Sequence, residues 1–231
     1  MTLSQWLVAL SKQLNGLSVA AALVPVTVGL LRWRYLTPAG RCLWACSLLA
    51  SLLLGVGCEY GRIVWRNNIL PLRGQVWLET VLLTAAYYYT FADSRRRRAV
   101  PWLLAAFTLG AVGETLWLMD WRAGNGPYLH VLQAMLLIWV VLVYFEQLLS
   151  DPPRVPLSRN PMFVASVGVV LYYAGTVFVY VLERVIQDTD QIRIMFVLEY
   201  SLRIVALNGG IAAALWLMGR AAGSPVRGAA R

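Results

Sequence analysis

Long apolar stretches broken by short polar ones set the pattern of this chain. A helix that crosses the hydrocarbon core of a bilayer needs about 20 mostly apolar residues. Seven stretches meet or approach that length: 14–33, 42–60, 75–91, 99–118, 128–149, 161–182 and 194–218. Each gap carries helix breakers or charge: Thr37-Pro38-Ala39-Gly40, Asn67-Asn68 with Pro71, Asp93 to Arg98, Ala123 to Pro127, Asp151-Pro152-Pro153 and Gln187 to Asp190. The stretch 75–91 is the shortest and must stand nearly upright. Barrel strands are excluded, because their signal is alternation over about ten residues. The expected fold is all-α, a single polytopic seven-transmembrane-helix bundle followed by a basic cytoplasmic tail over 219–231.

Composition agrees. Of 231 residues, 59% are hydrophobic and 13% charged, against about 25% charged in ordinary soluble domains. The formal charge of +9 resembles a nucleic-acid signature until the arginines are located. Twelve lie in odd-numbered loops or at the C-terminus: Arg32, Arg34, Arg41, Arg95 to Arg98, Arg154, Arg159, Arg220, Arg227 and Arg231. The opposite set is Lys12, Arg62, Arg66, Arg73, Arg122, Arg184 and Arg193, partly offset by Glu183, Asp188 and Asp190. The positive-inside rule puts the larger set in the cytoplasm, hence the N-terminus outside and the C-terminus inside. The charge therefore orients the bundle and no nucleic-acid partner is expected. Trp33, Tyr35, Trp65, Trp77, Tyr87 to Tyr89, Trp117, Trp121 and Tyr128 fit aromatic belts at the two interfaces. The first stretch lacks the exit of a cleavable signal peptide.

Ionisable groups inside spans are costly and face the bundle interior. Glu59, Glu79, Glu114, His130, Gln133, Glu199 and Arg203 fall at one depth, in the outer half of five helices, and Tyr172 and Tyr173 either line a pocket there or pack. A ligand-binding cavity is expected there. Arg203 suits an anionic group, and the glutamates suit an amine, a proton or a divalent cation; whether a metal binds stays open. Against this stands a bland alternative, in which Glu199 and Arg203 neutralise each other at i,i+4 spacing and the other carboxylates are hydrated at the interface. Gly168 and Gly175 form one face for close helix packing, and Asn208-Gly209-Gly210 is a tight contact or a hinge. Asn160-Pro161 suits an N-cap followed by Pro at the first helical position. Cys42, Cys46 and Cys58 have no metal spacing.

Several chemistries are missing. Retinal capture needs an intramembrane lysine, and the single lysine, Lys12, precedes the first span. One histidine excludes multi-histidine metallohydrolases, and neither Gly-x-Ser-x-Gly nor a P-loop nor a Rossmann pattern occurs. No cofactor is identified and no recognisable catalytic motif is present, which leans away from an enzyme. Glu and His acting as acid and base remain the one enzymatic alternative.

Leu17-Ser18 with Pro25, Glu59, Glu79, Tyr87-Tyr88-Tyr89, Tyr144 to Leu149, and Asn160-Pro161-Met162-Phe163 leading to Gly168, Tyr172 and Gly175 follow one another in a recognisable order. That order resembles a group of short, uncharacterised bacterial seven-helix membrane proteins often associated with sensor histidine kinases. The resemblance covers most of the chain. Val164 stands where that group has Trp, and Arg203 is foreign to it. A sensory or accessory role is what the resemblance implies. The expected function is receptor-like, with a small ligand or ion bound on the outer side and a signal passed to a membrane partner such as a histidine kinase, or to a second copy of the chain. The expected location is the bacterial inner membrane. A small-solute or proton-linked transporter is the alternative, weakened by the lack of an internal repeat.

Overall fold

The computed structural model describes residues 3–114, 116, 127–152, 156–183 and 189–221. Trp117, Trp121, Arg122, Arg154, Arg184, Asp188, Arg227, Arg231 and the tail beyond 221 lie outside the described residues. Among the described residues the structure is all-helical, with no strand, and forms seven rods. These are α1 (3–31), α2 (38–65), α3 (Ile69–Thr90), α4 (Ser94–Gly113), α5 (Pro127–Ser150), α6 (Pro161–Glu183) and α7 (189–221). Each of the seven expected stretches overlaps one rod, 115, 117 and 118 of the fourth lying outside the described residues, and several rods extend further. α1 starts at Leu3 and α3 at Ile69, because polar residues such as Lys12 and Arg73 are compatible with helix even where they cannot sit in a bilayer core.

Among the described residues, five rods are long and apolar enough to cross a membrane: Gln5–Leu31, Pro38–Trp65, Tyr128–Ser150, Pro161–Leu182 and Asp190–Met218. α3 and α4 fall short for different reasons. α4 opens on Arg95 to Arg98, which leaves too short an apolar run before the described residues stop. α3 carries Arg73, Gln75, Glu79, Thr80 and Thr84, and the last four of these are buried. Packed against α2, α4 and α5, it can hold polar groups that an outward-facing helix could not. The bundle's exterior is correspondingly apolar, with Leu31, Trp102, Leu109 and Leu149 turned outward, Leu149 at 84% exposure. Such a surface suits lipid and not water.

Local chemistry accounts for the rod boundaries. The Thr37 hydroxyl accepts the Gly40 N–H at 3.2 Å, and Pro38 occupies the first helical position. The Asp93 carboxylate caps α4 through the Arg95 N–H at 2.9 Å. Asn160 Oδ1 accepts the Met162 and Phe163 N–H groups at 3.1 and 3.3 Å ahead of α6, as the Asn-Pro pair predicts. α1 is interrupted at Ala22, three residues before Pro25, whose missing N–H leaves the Ala21 carbonyl without its helical partner. α2 ends on Arg66, whose φ of 55° is left-handed.

Wide, π-helical turns occur at Leu52–Gly57 and Gly61–Trp65 in α2 and at Arg203–Asn208 in α7. The core is built from Leu43, Leu83, Tyr87, Val140, Val141, Tyr144, Val169, Ile211 and Leu215, contributed by α2, α3, α5, α6 and α7. Tyr87 belongs to this core and not to an interfacial belt. It is buried, and its hydroxyl lies 2.9 Å from Ser166 Oγ. Trp33, Tyr35, Trp65, Trp77, Tyr88, Tyr89 and Tyr128 are exposed, as belt residues are expected to be.

The rods alternate in direction, so each end of the bundle collects different chemistry. One end joins the C-terminal parts of α1, α3, α5 and α7 to the starts of α2, α4 and α6. There Arg32 lies over Trp216 at 4.2 Å, and Arg41 over Trp33 at 5.6 Å. Arg96 donates to the Val143 carbonyl and to Glu146, both at 3.1 Å. The opposite end holds the polar layer.

Candidate functional site

Glu79, midway along α3 on its buried face, anchors the site. Its Oε1 accepts the Tyr173 hydroxyl at 2.6 Å, its Oε2 accepts Gln75 Nε2, and Arg203 Nη2 from α7 stands 3.9 Å from that same Oε2. Tyr173 is in turn a hydrogen-bond acceptor for Gln133 Nε2 at 3.3 Å, and Gln133 also donates to the Val76 carbonyl at 3.1 Å. One carboxylate thereby ties α3, α5, α6 and α7 together. Glu79, Gln75, Gln133 and Tyr173 are all buried, so the network is satisfied internally, as buried polar groups require.

Arg203 opens the wide turn of α7. Its Nε donates to the Tyr172 hydroxyl at 3.1 Å, Nη2 donates to the same oxygen, and the guanidinium carbon lies 5.1 Å from the Tyr172 ring centre. The Tyr172 hydroxyl is 3.5 Å from Glu199 Oε1. Adjacent tyrosines on α6 thus serve different acids, Tyr173 taking Glu79 and Tyr172 taking Glu199. Arg203 therefore reaches across to α3 and α6, beyond the intrahelical pairing with Glu199 that i,i+4 spacing suggests.

Above this network lies a cavity of about 310 Å³, within the range of small-ligand pockets. Polar lining comes from Asn15 and Ser18 of α1, Asn68 before α3, Gln75, His130 of α5, and Glu199, Tyr200 and Arg203 of α7. The His130 ring stacks on Tyr180 with centroids 4.2 Å apart, forming one wall. Beneath it a void of about 10 Å³ is lined by Ser18, Cys46, Glu79, Arg203 and Asn208, among others; it is about the size of one water position.

The structure brings Glu79, His130, Gln133, Tyr172, Glu199 and Arg203 together, at one end of the bundle. Two other expected members lie elsewhere. Glu59 is 59% exposed at its side chain and paired with Arg62 at 2.8 Å on the surface of α2, although its neighbour Cys58 lines the cavity. Glu114 is buried at the end of α4, where Oε1 accepts the Leu129 N–H at 3.3 Å in the first turn of α5. It serves as a cap borrowed from another helix. Its Oε2 has no hydrogen-bond partner among the described residues. Among the described residues, no group of three or more His, Cys, Asp and Glu side chains is placed to hold a metal ion.

The glycines of α6 face α7. A Cβ at Gly168 would meet the Ala206 carbonyl carbon and the Gly210 Cα, each at 3.2 Å, and one at Gly175 would strike the Leu202 side chain. At the Asn208-Gly209-Gly210 step the close contact is made by Gly210; a Cβ at Gly209 would find only the Ile204 carbonyl oxygen at 3.8 Å. Asn208 Nδ2 donates to the Ser18 carbonyl at 3.5 Å, joining α7 to α1. Gln75, Asn15, Asn68, Tyr180 and Tyr200 are among the site residues that sequence reasoning missed. Gln75 was open to discovery by its i,i+4 spacing to Glu79; the two asparagines lie near span ends, where polar residues carry no signal.

In comparison with known proteins, the chain matches no family model, no curated protein and no solved structure.

Proposed function

We propose that the chain is a seven-span integral membrane protein of the bacterial cytoplasmic membrane, N-terminus outside, that acts as a receptor-like sensor. A small ligand or ion enters the polar cavity from the outer side. Its occupancy biases the packing of α7 against α6 and α1 and is passed to a membrane partner, such as a histidine kinase or a second copy of the chain. The observation that carries this reading is the cavity's floor. Groups that line or underlie one cavity, Gln75, Glu79, Glu199 and Arg203, belong to the same network that holds α3, α6 and α7 together. A ligand that takes any of their hydrogen bonds has differential contact with two helix arrangements, which is what a population shift requires.

The test is thermal stabilisation of the purified protein by a small-solute library, repeated in Glu79→Lys and Glu199→Lys. The expected result is that solutes stabilising the wild type lose that effect in both variants. Wild-type-like stabilisation in both removes the site. Transport is the second reading, favoured by the small void that continues inward from Arg203 toward Asn208. Saturable substrate exchange in proteoliposomes would put it first.

A further inference from the structure

The connection between α1 and α2 meets the end of α7 in a corner that holds arginines and no acid. No Asp or Glu occurs in residues 1–58 or 200–231, so α1, the start of α2 and the end of α7 bring no counterion of their own. Arg32, Arg34 and Arg41 belong to this corner, and none of them forms an ion pair among the described residues. Aromatic rings hold two of them instead. The Arg32 guanidinium lies 4.2 Å from the Trp216 ring centre, and that of Arg41 lies 5.6 Å from the Trp33 ring centre. Trp33 is itself anchored: Trp44 packs edge-on to it at 4.9 Å and donates its Nε1 hydrogen to the Val26 carbonyl at 3.0 Å. Two arginines at the start of α4 are bound inward, Arg96 to Glu146 and the Val143 carbonyl, and Arg97 to the Tyr88 carbonyl at 3.2 Å.

A ring covers the flat face of a guanidinium, whereas the N–H donors lie in its plane and project from its edge. An arginine resting on tryptophan therefore keeps its donors for an anion. Arg34 and Arg41 are exposed and Arg32 is half-buried, so the anion comes from outside the chain. Position names its class. The corner joins the ends of three rods long enough to span a membrane, at Leu31, Pro38 and Met218, and Leu30 and Leu31, just before Arg32, are turned outward. A soluble anion would meet the guanidiniums and leave that apolar wall bare. A phospholipid puts its phosphate on the arginines and its acyl chains on the leucines, at the depth where tryptophan rings settle. We propose that the corner of Arg32, Arg34 and Arg41 binds the phosphate of an anionic phospholipid, and so braces α1 and α2 against the end of α7. This goes beyond the sensor reading and needs only that the chain sits in a bilayer.

The experiment titrates the full chain in neutral detergent micelles with phosphatidylglycerol, with phosphatidylcholine and with inorganic phosphate, and reads the melting temperature. Phosphatidylglycerol is expected to raise it saturably, with half-saturation about fivefold weaker in Arg32→Gln and in Arg41→Gln. Arg159→Gln is the control, because it removes one exposed charge from the same end of the bundle without touching the corner; its half-saturation is expected to move by less than about twofold. Where a Gln variant does not fold, Arg32→Lys or Arg41→Lys replaces it, keeping the charge and losing the planar fork. Equal stabilisation by phosphatidylcholine, or none by phosphatidylglycerol, overturns the site. An equal loss in Arg159→Gln overturns it too, since the attraction is then to the charge of the whole end. Stabilisation by inorganic phosphate with the same dependence on Arg32 and Arg41 overturns the lipid assignment. Each of these failures leaves the cavity and its ligand reading untouched.

Discussion

Glu79 accepts from Gln75 and Tyr173 while facing Arg203, and such a residue is held in place by its partners' agreement. Tyr173→Phe keeps the ring and removes only the hydroxyl, leaving a buried carboxylate oxygen and Gln133 each short of a partner. The expected cost is about 1–3 kcal/mol, measured by reversible unfolding in mixed micelles, against a change within about 0.5 kcal/mol for Glu59→Gln, whose pair with Arg62 is exposed. The same contrast marks the limit of legibility. Glu79, Glu199 and Arg203 were visible in the sequence because an ionisable group well inside an apolar run has few places to go. Glu59 carried the same signal, yet points outward. Wide turns at Leu52–Gly57 and Gly61–Trp65 bracket it, and a helical wheel drawn at 100° per residue cannot follow them. Glu114 was misplaced for another reason: at a helix end, a carboxylate can serve a neighbouring helix's N-terminus instead of a cavity.

At the scale of elements, the contact between α6 and α7 is set by the absence of side chains. Gly168 and Gly210 bring the two backbones close enough that a methyl group at Gly168 has no room beside the Ala206 carbonyl. Gly168→Ala is expected to destabilise by about 1–3 kcal/mol. Gly209→Ala, whose methyl group meets only the Ile204 carbonyl oxygen at an ordinary 3.8 Å, is expected to be neutral or to gain up to about 1 kcal/mol from lower backbone entropy in the unfolded chain. Melting temperatures of the two variants, measured side by side, check the pair. The seven-apart spacing of Gly168 and Gly175 was legible as one packing face. The partner glycine was not, because Gly209 and Gly210 differ by one residue and the wide turn before them shifts the phase.

For the whole molecule, the division of labour between the two ends follows from alternation of rod direction. Arginines gather beside Trp33, Tyr88 and Trp216 at one end, and the cavity opens at the other. The run of apolar stretches was enough to locate every rod, since length and hydropathy depend on local composition alone. The polar character of α3 had a different cause, its place among α2, α4 and α5, and no property of that stretch by itself foretells which neighbours will shield it.

The wide turn Arg203–Asn208 has a consequence for how the chain tolerates a change in length. A π-helical turn holds one residue more than an α-helical turn needs. Deleting Val205, 74% exposed within that turn, lets the turn tighten while Glu199 on one side and Ile211 and Leu215 on the other keep their faces. Deleting Ala213, also exposed but in regular helix, turns everything on one side of the gap by about 100° and pulls the buried Ala214, Leu215 and Met218 out of register with the core. The shorter chain lacking Val205 is therefore expected to run as a single symmetric peak on size exclusion, and the one lacking Ala213 to aggregate. α7 carries a spare residue, and Arg203 stands at its edge.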